Sequence, residues 1–79
     1  MNRSELEAKI LELVSMSYKK DVSTLSMDTR IKEDLGGTSV LMVGLVSEIE
    51  NELDVMVQLA DAASCKTIAD LGAKGEELL

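Results

Sequence analysis

Residues 34–41 read Asp34-Leu35-Gly36-Gly37-Thr38-Ser39-Val40-Leu41, and they join a polar connection to an apolar segment with helical spacing. Two glycines and two hydroxyl residues therefore lie at a predicted loop-to-helix junction. Free backbone N–H groups and the positive end of the helix dipole make such a junction a natural place for an anion. Glycine also permits positive φ and close approach by another molecule. The stretch predicts a helix start and a candidate site at Ser39.

The junction at residues 34–41 has two other interpretations. In the first, the junction only caps a helix: Thr38 is the N-cap, and Ser39 is the first helical residue with no further role. A nucleotide phosphate loop fits poorly, because the stretch has no Gly-Lys-Ser/Thr ending and no lysine within it.

Helical spacing on both sides of the junction predicts an all-α fold, a small four-helix bundle with a long first loop. No run of residues alternates in the way a sheet requires. The predicted helices are three longer ones, over about 4–18, 38–53 and from 67 onward, and a short third helix over 59–64.

Cap patterns and apolar stripes set the helix limits. Ser4-x-x-Glu7 predicts a capping box for the first helix, and Thr67-x-x-Asp70 predicts one for the last, which we expect to fray after Gly75. Connection 21–37 is polar and long enough to suggest a functional loop. We expect it to be anchored by Leu25, Ile31 and Leu35, and the second helix to bury Val43, Val46, Ile49 and Leu53.

Composition excludes several classes of function. The chain of 79 residues has 46% apolar residues, no His and one cysteine, Cys65, so proton-transfer triads, disulfides and Cys-rich metal sites are not expected. We predict no enzyme and no metal site, and a buried, unreactive Cys65. A net charge of −7 argues against nucleic acid and favours basic protein partners.

Targeting signals are not evident in the sequence. The N-terminal residues lack the apolar region of a signal peptide, and no segment approaches the roughly 20 apolar residues that span a bilayer. The prediction is a cytoplasmic monomer without membrane insertion, in which residues 1–79 form a single domain.

The stretch 34–41 resembles the attachment site of phosphopantetheine carrier proteins, the acyl and peptidyl carriers, whose pattern is Asp/Glu-Leu-Gly-x-Asp/His-Ser-Leu. The resemblance extends from about Leu6 to Leu71 and includes the order of the helices. Thr38 replaces the usual Asp or His, Val40 replaces Leu, and Leu41 and Gly44 stand where fatty-acid carriers are often acidic.

The resemblance implies a covalent cofactor and a carrier function. Ser39 is expected to receive 4′-phosphopantetheine from coenzyme A, with a separate phosphopantetheinyl transferase and Mg²⁺, and Gly36, Gly37 and Thr38 to complete the cofactor-binding site. The arm's thiol holds acyl intermediates as thioesters in fatty-acid or polyketide and lipid biosynthesis. The nucleophile then belongs to the cofactor, so the chain needs no His or Cys of its own.

Two further groups of residues follow from the resemblance. Acyl-processing or ligase enzymes with basic or apolar docking patches are expected on a partner surface of Val40, Leu41, Met42, Glu48 and Glu52. The positions that correspond to the family's acyl pocket are Ile31, Leu45, Val46, Ile49, Val57, Ala62, Cys65, Ile68 and Leu71. All of them can equally be ordinary core residues.

Two alternatives to the acyl carrier stay open. Gly36-Gly37 followed by Leu41 is closer to a peptidyl or aminoacyl carrier of nonribosomal synthesis, whereas the charge of −7 is closer to an acyl carrier. A different class is an unmodified acidic helical module that binds basic partners, with Ser39 only as part of a helix start.

Overall fold

Four α-helices form the structure, a computed structural model that describes residues 2–79. They are α1 (Arg3–Tyr18), α2 (Ser39–Leu53), α3 (Leu59–Ser64) and α4 (Ile68–Leu78), with a 3₁₀ turn over Val22–Thr24 and a π-helical turn over Ile31–Leu35 in the first connection. Residues 2–79 contain no strand beyond an isolated bridge between Arg30 and Thr67. The predicted four-helix bundle is confirmed, and α3 has the predicted limits.

The first helix starts earlier than its sequence pattern suggested. Asn2 is the N-cap, because its Oδ1 accepts a hydrogen bond from the Glu5 N–H at 2.8 Å and the Glu5 carboxylate accepts one from the Asn2 N–H at 3.3 Å. The predicted box of Ser4 and Glu7 is therefore wrong. Asn2-x-x-Glu5 is an equally good pattern two residues upstream, and Asn caps as well as Ser does.

One face of each helix meets in a single core. The core residues share exposures of 8% or less, and they are Leu6, Ile10, Leu13, Val14, Tyr18, Ile31, Met42, Leu45, Val46, Ile49, Leu53, Val57, Ala62, Cys65, Ile68 and Leu71. On α2 the buried stripe begins at Met42, and Val43 is 47% exposed. The prediction of Val43 as core is wrong, because α2 is apolar on most of its circumference and periodicity could not choose the buried face.

The long first connection is held against the start of α4. Ile31 N–H donates to the Lys66 carbonyl at 2.8 Å, and Ile68 N–H donates to the Thr29 carbonyl at 3.0 Å. Ile31 is buried, while Leu25 and Leu35 are partly buried against the core, as predicted. These hydrogen bonds satisfy backbone groups that would bond to water in a free loop. They also fix the position of the residues that precede α2.

The last helix runs on to Leu78 rather than fraying after Gly75. Gly75 is buried, and a Cβ there would lie 3.5 Å from Leu53 and 3.7 Å from Leu6. The small residue lets α4 pack closely against its neighbours, and that packing outweighs the low helix propensity of glycine.

The start of α4 predicts how stability depends on pH. The backbone N–H groups of Lys66 and Thr67 donate to the Asp70 carboxylate at 2.9 and 3.2 Å and lower its pKa below the ordinary value. A pKa that is lower in the folded state adds stability above the unfolded pKa, near 4, and this is lost as pH falls through the folded pKa. The free energy of unfolding should therefore fall on acidification, and fall less in Asp70→Asn.

Urea unfolding at several pH values between about 2 and 7 measures this dependence. Asp28→Asn is the matched control, since Asp28 lies in the first connection and caps no helix within residues 2–79. Equal pH dependence in wild type and Asp70→Asn contradicts the prediction.

Candidate functional site

Ser39 is the first residue of α2, and its side chain is exposed. Thr38 is the N-cap in extended conformation, as predicted, yet its hydroxyl forms no capping hydrogen bond. The first N–H groups of α2 consequently lack the side-chain acceptor that Asn2 and Thr67 supply to α1 and α4. Both the Ser39 hydroxyl and a positive helix end are accessible from outside at the same point.

The two glycines before Ser39 both have positive φ, +66° at Gly36 and +88° at Gly37. A Cβ at Gly37 would lie 2.6 Å from Leu41 Cδ1 and 3.4 Å from a ring carbon of Tyr18, whereas a Cβ at Gly36 meets nothing within 4 Å. Gly36 is required for conformation alone, and Gly37 for both conformation and space. Together they bring the chain across the end of α1 into α2.

Asp34, the acid of the quoted stretch, stabilises the turn that precedes the glycines. Its carboxylate accepts a hydrogen bond from the backbone N–H of Arg30 at 2.8 Å and lies 3.2 Å from the Arg30 guanidinium. The same guanidinium also pairs with Glu33. The pKa of Asp34 is lowered, first by the backbone N–H of Arg30 and then by its side chain. Asp34 therefore stabilises the turn before the glycines, a structural role that the sequence motif alone did not predict.

An open cavity of about 480 Å³ lies beside Ser39. Its lining is mainly apolar with a few polar groups, and consists of Tyr18, Ile31, Lys32, Gly36, Gly37, Thr38, Ser39, Met42, Leu59 and Ala63. The structure thus brings the four predicted cofactor-site residues to one cavity. Tyr18, Lys32, Leu59 and Ala63 were missed, because they come from elements far from the motif in sequence. Tyr18 carried a weak signal as the lone aromatic residue.

The nine predicted pocket residues are all buried, with exposures between 0 and 8%. Of these nine, Ile31 alone lines the cavity beside Ser39. The other eight pack in the core, so the structure separates the cavity from most of the predicted acyl-pocket positions.

The predicted partner surface is only partly assembled. Val40 is 72% exposed and lines a shallow groove of about 270 Å³ with Met16, Leu41, Gly44 and Glu48. Met42 does not belong to this surface. It is buried, because it lies on the side of α2 that faces the core and the cavity beside Ser39.

Two of the acidic residues on α2 have partners inside the molecule. The Glu52 carboxylate lies 3.3 Å from Lys9 Nζ and links α2 to α1. The Glu50 carboxylate accepts the Val57 N–H at 3.0 Å and secures the link to α3. Glu48 remains at the edge of the shallow groove, so the acidity available to a partner is smaller than the sequence suggested.

Cys65 is buried, as predicted, and its Sγ lies 3.4 Å from the Asp61 carbonyl. Burial raises the pKa of the thiol, and the charge of Asp70 adds to that effect. A thiol with a raised pKa is a poor nucleophile at neutral pH. Among residues 2–79 there is no group of three or more His, Cys, Asp or Glu placed to hold a metal ion.

Within residues 2–79, every helix is too short or too polar to reach across a bilayer.

Known proteins match this chain over most of its length. A family model described as phosphopantetheine attachment site matches residues 8–74. The acyl carrier protein of Onion yellows phytoplasma is 36% identical over 63 residues, which is 80% of this chain and 83% of that protein. The acyl carrier protein of Rickettsia bellii (strain RML369-C) is 33% identical over 66 residues, 84% of this chain and 77% of its own length. That of an Exiguobacterium species is 27% identical over 73 residues, 92% of each chain.

Proposed function

The chain belongs to the phosphopantetheine attachment family, which includes the acyl carrier proteins, and on this basis we propose that Ser39 is the residue that receives 4′-phosphopantetheine. We propose further that the loaded chain carries acyl intermediates as thioesters in fatty-acid or polyketide and lipid biosynthesis. Residues 1–79 act as one carrier domain and as a monomer in this proposal.

Family membership decides two of the predictions made from sequence. The cofactor of this family is 4′-phosphopantetheine, and its acyl carrier members are carriers rather than catalysts, so both predictions are confirmed. The bound cofactor supplies a terminal thiol, which is the group that holds cargo. The chain's own residues therefore need only bind the arm, present it and meet partner enzymes.

The exposed hydroxyl of Ser39 at the start of α2 is the observation that carries the proposal. In the loading step, Ser39 Oγ attacks the β-phosphorus of coenzyme A, and an Oγ–P bond forms. The P–O bond to the departing 3′,5′-adenosine bisphosphate breaks, and the serine proton passes to a base of the transferase. The new phosphodiester then lies at the positive end of α2, which stabilises a negative charge by about 0.3–1 kcal/mol.

The residues around Ser39 fit a phosphodiester and a long arm. Gly36 and Gly37, whose positive φ favours glycine, place no side chains next to Ser39, and Thr38 leaves the first N–H groups of α2 without a side-chain cap. The cavity beside Ser39 adds mainly apolar surface within reach of the attachment point.

Burial of an acyl chain among the predicted pocket positions requires the helices to separate. The eight pocket positions away from the cavity pack closely in the core and are at most 8% exposed. We propose that long acyl chains enter by moving α3, a helix of six residues that joins α2 to α4 through short links.

We propose that partner enzymes meet the groove formed by Val40, Leu41 and Glu48. Glu52 does not line this groove and pairs with Lys9 instead. Phosphopantetheinyl transferases and acyl-processing enzymes are the general partners of acyl carrier proteins, and an apolar groove with an acidic edge suits an apolar, weakly basic patch. The free, buried thiol of Cys65 is consistent with a reducing compartment such as the cytoplasm.

Mass spectrometry tests the proposed function. The protein is incubated with coenzyme A, Mg²⁺ and a broad-specificity phosphopantetheinyl transferase, and its intact mass is measured. We expect the gain of one phosphopantetheine and its location on the peptide containing Ser39. An unchanged mass with several transferases favours the unmodified interaction module. An amino-acid ligase, rather than an acyl ligase, that charges the loaded form favours the peptidyl or aminoacyl carrier.

A further inference from the structure

The cavity beside Ser39 contains two polar side chains that the attachment motif does not include. Tyr18 comes from the end of α1, and Lys32 comes from the π-helical turn. Neither lies within the stretch 34–41, and neither is needed for the loading step described above.

Tyr18 is buried but not sealed. The residue is 6% exposed, and none of the side-chain hydrogen bonds within residues 2–79 involves its hydroxyl. The same residues contain no polar side-chain atom that is fully enclosed without a partner, so the hydroxyl oxygen must reach open space. Tyr18 is also one of the residues that line the cavity beside Ser39. A phenol that is nine-tenths buried and unpartnered in this way is suited to hydrogen-bond a ligand in the cavity.

Lys32 is the one cation in the lining of the cavity. Within residues 2–79 its ammonium has no carboxylate within 4.0 Å, since Glu33 and Asp34 both pair with Arg30 instead. Thr38, next to the attachment residue, carries no charge either. Lys32 is therefore the cation that the lining of this cavity offers to the negative charge that loading adds at Ser39.

We propose that Lys32 and Tyr18 are positioning residues that hold the loaded arm in the cavity beside Ser39. The Lys32 ammonium pairs with the phosphodiester, and the Tyr18 hydroxyl hydrogen-bonds to an amide of the pantetheine. Ile31, Met42 and Ala63 provide the apolar walls. This inference rests on the proposed attachment at Ser39 and adds that the arm is docked by a charge pair and a phenol rather than extended into solvent.

NMR of the loaded protein tests the inference without any enzymatic readout. The protein is labelled with ¹³C, an unlabelled arm is attached by the transferase, and isotope-filtered NOEs are measured from the arm to the methyl groups of Met42 and Ala63. We expect clear NOEs in wild type. In Lys32→Gln the docked-to-free ratio should fall by about two- to fivefold, the effect of losing an exposed ion pair, and salt should weaken docking in wild type similarly.

Matched variants separate positioning from general structure. Lys66→Gln makes the same change of charge nearby, because Lys66 and Lys32 both line a neighbouring depression. Lys66 does not line the cavity beside Ser39. The NOEs from the arm in Lys66→Gln should therefore equal those in wild type. Tyr18→Phe keeps the ring and should preserve the melting temperature while lowering the docked fraction.

The outcomes distinguish the two proposals. No gain in mass overturns the proposed function. Full loading without methyl NOEs, or NOEs unchanged in both Lys32→Gln and Tyr18→Phe, overturns the positioning role and leaves the carrier function intact. Equal losses in Lys32→Gln and Lys66→Gln would also overturn it, because a general charge effect would then explain the result.

Discussion

The Ser39→Ala variant is expected to gain no mass with coenzyme A and a phosphopantetheinyl transferase under conditions that load the wild type completely. Alanine lacks the oxygen that forms the bond to phosphorus, and no neighbouring side chain can replace it at the same place. Thr38 has a hydroxyl, but it precedes the helix start in an extended conformation. Alanine is a good helix former, so α2 should persist in the variant. Intact-mass measurement and circular dichroism check both points.

Ser47→Ala is the control for this variant. Ser47 is exposed and lies within α2, but it is remote from the glycines and the start of the helix. It should load as fully as wild type. Loading of Ser39→Ala at the wild-type rate would place the attachment elsewhere and overturn the assignment of Ser39.

Leu45→Ala is expected to be the most damaging single truncation in α2. Leu45 has no exposed surface and lies in the middle of the stripe of α2 that packs into the core. Removal of a buried leucine side chain costs about 2–5 kcal/mol, from lost transfer free energy and from the cavity left behind. A domain of 79 residues has a total stability of about 4–12 kcal/mol. The variant should therefore lose a large share of its stability and melt at least about 8 °C lower.

Val43→Ala provides the matched control for the core truncation. Val43 lies on the same helix, but nearly half of its side chain is exposed and it is absent from the core. We expect its free energy of unfolding to stay within about 0.5 kcal/mol of wild type. Urea denaturation of both variants makes the comparison. A larger loss in Val43→Ala than in Leu45→Ala would contradict the buried face that the structure assigns to α2.

The buried face of α2 could not be predicted from the spacing of apolar residues. Residues 40–46 are apolar at six of seven positions, so several different stripes fit the helical spacing equally well. The sequence prediction placed Val43 inside and Met42 at a partner surface, and the structure reverses the two. The buried face depends on which side of α2 meets α1 and α3, which is a property of packing.

The start of α1 shows a similar limit at a shorter range. Asn2-x-x-Glu5 and Ser4-x-x-Glu7 are overlapping cap patterns, and both obey the rule for a capping box. The hydrogen bonds form at the earlier one. At the start of α4 a single pattern exists, Thr67-x-x-Asp70, and the prediction was confirmed.

Local sequence was enough to specify the number of helices, the limits of α3, the cap of α4 and the presence of Ser39 at the first turn of α2. Each of these depends on hydrogen bonds or spacing within a few residues. Tyr18 and Lys32 became neighbours of Ser39 only through the packing of α1 and the path of the first connection against α4. Contacts between segments distant in the chain depend on the whole bundle, so the cavity beside Ser39 could be found only in three dimensions.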